Sequence, residues 1–101
     1  MTKASVAYEA GLMEDLKNPE EAAAYLSAAM EEGTQEAFLL ALRDVASAHG
    51  IAQMAQESML NRENLYRLLS ESGNPRLSSL VALLNGLGLK LVVEVKRTAA
   101  A

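Results

Sequence analysis

The 101-residue chain contains no cysteine and no tryptophan, and only four of its residues are phenylalanine or tyrosine. Without cysteine, disulfide bonds and thiolate metal sites are excluded. The scarcity of aromatic residues, together with abundant Ala and Leu, favours packed helices over a β-sandwich or barrel. The length fits one compact domain. We therefore expect a fold that is mainly all-α.

The chain also lacks a long apolar run. The longest strictly apolar stretch, Ala37 to Leu42, is far too short to cross a bilayer, and Leu80 to Leu84 is shorter still. The N-terminal sequence MTKASVAYEAGLMED has no apolar stretch of the kind found in secretion signals. We expect a protein that does not attach to membranes and that resides in the cytoplasm.

Residue patterns for catalysis are missing as well. The single histidine, His49, is expected at a helix end, where it can cap terminal carbonyls. The neighbouring acids Glu20 and Glu21 point apart on a helix instead of facing each other as a metal or acid–base pair. No nucleophile with a base and no phosphate-binding glycine loop is present. We expect neither an enzyme nor a bound metal or cofactor.

Charge is distributed unevenly along the chain. The first 60 residues carry ten acidic and three basic residues, and the last 41 carry three acidic and six basic residues. The two parts therefore have net charges of −7 and +3, which give the overall −4. This asymmetry indicates two surfaces for two kinds of partner, one cationic and one anionic. The alternative, that the acidic half is only a solvated surface, stays open.

Apolar spacing and capping residues predict a series of helices. Asn18 followed by Pro19 is typical of a helix start, and Thr34 is a good cap for the next helix. Gly33 and Gly88 are expected to end helices. The predicted helices cover residues 8–16, 19–32, 35–48, 51–58, a segment that begins at 62, and 75–87.

The segment from 50 to 70, GIAQMAQESMLNRENLYRLLS, has the spacing of a DNA-reading helix-turn-helix. The small Ala55 in the first helix would let the second helix cross closely. Asn61 is expected to cap the second helix, which would begin at Arg62. The side chains predicted to face inward are Ile51, Met54, Leu65, Leu68 and Leu69.

Two blocks of the sequence resemble a known family. NRENLYRLLSESGNPRLSSLVALLNGLGLKL and the upstream LKNPEEAAAYLSAAMEEGTQEAFLLALRDVASAHGIAQMA are similar to the probable addiction-module antidotes, HigA-like antitoxins with a phage-repressor (Xre) type DNA-binding domain. The most specific pieces are LYRLLSESGNP and the EEAAAYL helix, and the similarity covers roughly residues 16 to 91. It implies a lambda-repressor-like helical bundle of about five to six helices.

The resemblance also implies a function. The protein would be the antitoxin of a type II toxin–antitoxin module, neutralising a RelE/HigB-like ribonuclease toxin and repressing its own operon as a homodimer on operator DNA. Two departures from the family stand out. Met59 takes the place usually held by glycine in the turn. Ile51 takes the place of a phosphate-contacting Gln, for which Gln53 is a substitute.

The outer face of the second helix supplies the candidate DNA contacts. Arg can bind guanine, Asn can bind adenine, and Glu can accept from cytosine. A surface ion pair between Glu63 and Arg67 is the alternative, and a purely structural Tyr66 is as plausible as a contacting one. The candidate DNA-binding residues are Arg62, Glu63, Asn64, Tyr66 and Arg67, with Gln53, Asn74 and Arg76 near the phosphates.

Residues 89–96 change to a two-residue apolar period, which is typical of a β-strand. A lone strand leaves its backbone groups unpaired, so it needs a neighbour. That neighbour is either residues 5–8 or the same strand of a second subunit, and we favour the second subunit. The expected dimerisation residues are Leu89, Leu91, Val93 and Val95.

The sequence thus predicts three parts: an acidic helical extension (1–33), a helix-turn-helix domain (34–88), and a C-terminal strand with a frayed tail (89–101). The expected function is that of an antitoxin. A transcriptional regulator of the phage-repressor type without a toxin partner is the alternative. A helical adaptor that has lost DNA binding is a weaker third reading.

Overall fold

A computed structural model describes residues 3–58, 61–70 and 74–96. In this part of the chain there are six helices and no strand. A mainly helical fold is therefore confirmed. The helices are α1 (Lys3–Leu16), α2 (Pro19–Glu31), α3 (Gln35–His49), α4 (Ile51–Ser58), α5 (Arg62–Leu68) and α6 (Leu77–Gly86).

The starts of α2 and α3 are set by the capping residues that the sequence predicted. The Asn18 side chain accepts hydrogen bonds from the backbone N–H groups of Glu20 (2.8 Å) and Glu21 (3.3 Å). The Thr34 hydroxyl accepts from the N–H of Ala37 at 3.2 Å. Each bond satisfies an amide that has no partner inside the helix, which fixes where the helix begins.

The core is one cluster to which all six helices contribute. α3 lies at its centre, with Leu42 and Ala46 fully buried, and it packs against α1, α2 and α4. α4 in turn packs against α5 and α6. The fully buried side chains Met54, Leu65 and Leu83 join α4, α5 and α6 to this cluster. α5 therefore packs mainly on α4, in the second layer of the bundle.

The bounds predicted for α4 and the start of α5 are confirmed. α4 covers Ile51–Ser58, and Asn61 caps α5 by accepting from the N–H of Asn64 at 2.8 Å. α6 begins at Leu77, two residues later than predicted, so Pro75 precedes the helix instead of starting it. The prediction for Met59 lies outside the described residues.

The C-terminal strand is not seen in this structure. Residues 89–96 form neither helix nor strand. Residues 5–8, the other candidate neighbour, belong to α1, so pairing with them was a wrong alternative. α1 begins earlier than predicted. The sequence did not reveal this because the first residues of the helix have only a weak apolar pattern.

α6 ends in a glycine-dependent turn that fixes where residues 89–96 leave the bundle. The N–H of Leu89 donates to the carbonyl of Leu84 (2.8 Å), and the N–H of Gly88 donates to that of Asn85 (3.0 Å). These two bonds form a Schellman motif, which needs a left-handed residue, and Gly88 has φ +79°. Leu89 packs against the core, and the residues beyond it are exposed.

None of the helices within the described ranges has the length and apolar character needed to cross a membrane.

Candidate nucleic-acid interface

α5 is fixed to the bundle along one side only. Leu65 is completely buried, and Leu68 and Leu69 are 9% and 4% exposed. These residues lie three and four positions apart, so they form one inward stripe on a helix of seven residues. The opposite side of α5 is left to the solvent, as the sequence predicted.

The outward side of α5 is polar and carries two guanidinium groups. Tyr66 is 56% exposed, so its ring is not a core side chain. No ion pair joins Glu63 to Arg67 in the described part of the chain, so the alternative of a surface pair at this spacing has no support. The exposed residues of this side are Arg62, Glu63, Asn64, Tyr66 and Arg67, and we call it the α5 outer face.

The other three candidate contacts lie on different segments. Gln53 is exposed on α4, the helix against which α5 packs. Arg76 is exposed at the N-cap position of α6, where its side chain makes no capping bond. Asn74 is exposed too, but its side-chain oxygen lies 3.5 Å from the Gln35 amide nitrogen at the start of α3. The structure therefore places Gln53 on the helix that packs on α5 and directs Asn74 toward α3.

A residue that the sequence reasoning missed links α5 to the central helix. The Arg43 Nε of α3 donates a hydrogen bond of 2.9 Å to the carbonyl oxygen of Leu69, at the C-terminal end of α5. A cation is favoured at this end of a helix dipole, and the bond satisfies a terminal carbonyl. A signal was available, because Arg43 lies one turn from Leu39 and Ala46 on the apolar side of α3.

The acidic half of the molecule has a polar link of its own. The Tyr25 hydroxyl of α2 donates a 2.7 Å hydrogen bond to the carboxylate of Asp44 on α3. Burial, followed by this bond and by the negative charge of Asp44, raises the pKa of Tyr25 to about 12. The phenol therefore stays neutral at pH values well above the usual pKa of tyrosine, and its hydrogen bond joins α2 to the central helix.

The side chains of the described residues offer little for metal chemistry. No group of three or more His, Cys, Asp or Glu residues is arranged to hold a metal ion in these parts of the chain. The exposed groups near α5 are instead donors and acceptors for hydrogen bonds together with guanidinium charges. Such groups suit the recognition of a polyanion with hydrogen-bonding edges.

Comparisons with known proteins agree with the antidote part of the resemblance seen in the sequence. Residues 6–95 match the family described as probable addiction module antidote protein. A protein of Haemophilus influenzae (strain ATCC 51907 / DSM 11121 / KW20 / Rd), described as an uncharacterized protein, is 35% identical over 86 residues, which span 85% of this chain and 89% of the relative. No solved structure matches the chain.

Proposed function

Because this chain belongs to the family of probable addiction module antidote proteins, we propose that it is the antitoxin of a type II toxin–antitoxin module. In this proposal it neutralises a RelE/HigB-like ribonuclease toxin and represses its own operon as a HigA-like, Xre-type DNA-binding dimer in the cytoplasm. The observation that carries the DNA-binding part is the exposed α5 outer face on a helix whose other side is fully anchored.

In the proposed DNA complex, α4 and α5 form a helix-turn-helix and α5 enters the major groove. Arg62 and Arg67 are suited to guanine or phosphate, and Asn64 to adenine. Glu63 accepts from cytosine, and Tyr66 contributes its hydroxyl. Gln53, Asn74 and Arg76 contact the phosphates, which position the helix but carry no sequence information.

The proposed dimer forms through residues 89–96. Leu91, Val93 and Val95 are 44%, 95% and 82% exposed, and Leu89 anchors the segment to the core. A monomer would leave these apolar side chains in water, whereas pairing with the same segment of a second subunit would bury them and satisfy its backbone groups. The resulting two-fold axis would present two copies of α5 to a palindromic operator, about 34 Å apart.

The proposed toxin contact lies in the acidic extension, residues 1–33. In α2 the acids Glu20, Glu21 and Glu31 are exposed, and the helix holds no basic residue. A negative surface accelerates the association of a positive partner, and an RNA-cleaving toxin must itself be basic where it holds RNA. Docking there would cover the toxin's RNA-binding surface.

Two measurements test the proposal. Fluorescence anisotropy should show that the protein binds a labelled duplex from the gene's own upstream region more tightly than a scrambled duplex of equal length. Co-expression with the adjacent gene should restore growth that the adjacent gene alone arrests. Absence of both effects with folded protein would contradict the proposal.

A regulator without a toxin partner is the second candidate, and the α5 outer face supports it equally well. Co-expression separates the two, since this candidate predicts operator binding without any protection against the product of the adjacent gene.

A further inference from the structure

A groove of about 310 Å³ lies where the end of α2 meets the start of α3 and the segment leading into α6. Its polar edge includes Thr34 and the Gln35–Asn74 pair. Most of its lining is apolar. The apolar side chains are Met30, Phe38, Leu39, Pro75 and Leu80, and we call this the α2–α6 groove.

Met30 is the accessible apolar side chain of this groove. On α2 the residues Leu26 and Ala29 are buried, and Met30 continues the same apolar stripe but is 50% exposed. A flexible thioether can adapt its shape to an incoming apolar group. The stripe of α2 therefore extends beyond the core and ends in a surface that a partner can cover.

Three acidic residues are sequence neighbours of residues that line the groove, and two of them stand where a helix end disfavours negative charge. Glu31 is in the last turn of α2 and Glu32 is its C-cap, where the helix dipole disfavours negative charge. No basic residue stands in that turn to compensate. Glu36, in the first turn of α3, adds a third exposed acid. None of the three is in an ion pair with another residue of the described part of the chain.

We propose that the α2–α6 groove is the docking site for a basic amphipathic segment of the toxin. Apolar side chains of that segment fill the groove beside Met30, and its Lys or Arg side chains lie against Glu31, Glu32 and Glu36. The proposal rests on the antitoxin function. It narrows the location of the toxin contact from the whole acidic extension to one end of α2. The same three acids repel phosphate, which makes a nucleic acid the wrong occupant.

A pair of matched variants tests the apolar part. Met30→Lys places a positive charge in the groove, whereas Leu40→Lys makes the same kind of change on α3 at a residue that is 54% exposed and does not line the groove. Calorimetric titration with the purified product of the adjacent gene should show an affinity loss of about tenfold or more for Met30→Lys. For Leu40→Lys the loss should stay below about twofold.

A second pair tests the charged part on one helix. Glu31→Gln with Glu32→Gln removes the acids at the end of α2 that borders the groove, and Glu20→Gln with Glu21→Gln removes the same charge at the other end of α2. The first pair should weaken toxin binding about tenfold and reduce its dependence on salt. The second pair belongs to the same acidic surface but lies at the far end of α2, so it should weaken binding by only about threefold or less. Circular dichroism confirms that each variant is folded.

The outcomes separate the groove from the antitoxin function itself. Equal losses within either matched pair would overturn the groove proposal while leaving an antitoxin. A wild-type protein that binds no toxin would contradict the proposed function instead. If Met30→Lys changes the sedimentation coefficient of the free protein but not its toxin affinity, the occupant is a second copy of this chain and the proposal is wrong.

Discussion

α2 and α5 are built in the same way but display opposite charges. Each begins with a capping asparagine, Asn18 or Asn61, and each buries apolar side chains on one side. On α2 the charged residues are all acidic, whereas on α5 the two arginines outnumber the single acid. Helix formation and packing are therefore independent of which partner the outer surface can attract.

The two helices also differ in how they are held. α2 packs closely on α1 and on the central α3, and the Tyr25–Asp44 hydrogen bond joins it to α3. α5 packs closely on α4, and its polar link to α3 is the Arg43 bond at its C-terminal end. The direction in which α5 points therefore depends on fewer contacts, which makes it the more sensitive of the two surfaces.

The largest contrast between α2 and α5 should come from truncating the buried leucine that holds each helix in the core. Leu65→Ala and Leu26→Ala each remove a buried leucine, and each should lower the free energy of unfolding by about 2–5 kcal/mol. In protein that is still folded, Leu65→Ala should reduce operator affinity, and Leu26→Ala should reduce toxin affinity. Urea denaturation and the two binding assays check this. Identical losses in both assays would erase the contrast between the helices.

The next effect concerns the link to α5. Arg43→Met should cost about 2 kcal/mol of stability by removing a charge-assisted bond. It should also lower affinity for the upstream duplex while leaving affinity for a scrambled duplex unchanged, because only base contacts need a fixed helix direction. An unchanged operator affinity would show that Arg43 has only a structural role.

Tyr25→Phe is the matched change on the acidic side and should cost about 1.5 kcal/mol, since the lost hydrogen bond has a charged acceptor. Operator binding should not change. Because the folded pKa of Tyr25 is raised from 10.0 to about 12, the stability it contributes is complete below pH 10 and is lost as the pH rises toward 12. Thermal melts across that range should decline less steeply for the variant than for the wild type.

The smallest effects should follow removal of the caps. Asn18→Ala and Asn61→Ala should each destabilise the fold by about 1 kcal/mol. Asn61→Ala should also weaken operator binding, whereas Asn18→Ala should not. Differential scanning calorimetry and anisotropy measure the two quantities. A loss of operator affinity in Asn18→Ala would show that the surfaces are coupled through the core.

Capping chemistry and apolar spacing made much of this fold predictable. Asn18, Thr34 and Asn61 mark helix starts through local bonds, so their effect can be read from neighbouring residues. The exposure of the α5 outer face followed from the same spacing. The early start of α1 did not, because its residues carry a weak amphipathic pattern.

Long-range contacts were the part that the sequence could not supply. Arg43 meets Leu69 across 26 positions, and Gln35 meets Asn74 across 39. Such pairs depend on how the helices pack, which spacing along a single helix does not encode. The two-residue period of residues 89–96 shows the same limit, because in the proposed dimer the pairing of that segment depends on a second chain that one sequence does not place.

The affinity of the Arg62→Ala, Arg67→Ala double variant for the upstream duplex tests the central claim most directly. Lys3→Ala with Lys17→Ala is the control, since it removes the same charge at the two ends of α1, a helix that does not pack on α5. Anisotropy should show a loss of roughly 2–6 kcal/mol for the arginine pair, about 1–3 for each good base contact, and little change for the lysine pair. Full operator affinity in a folded arginine variant would contradict the assignment of the α5 outer face to DNA.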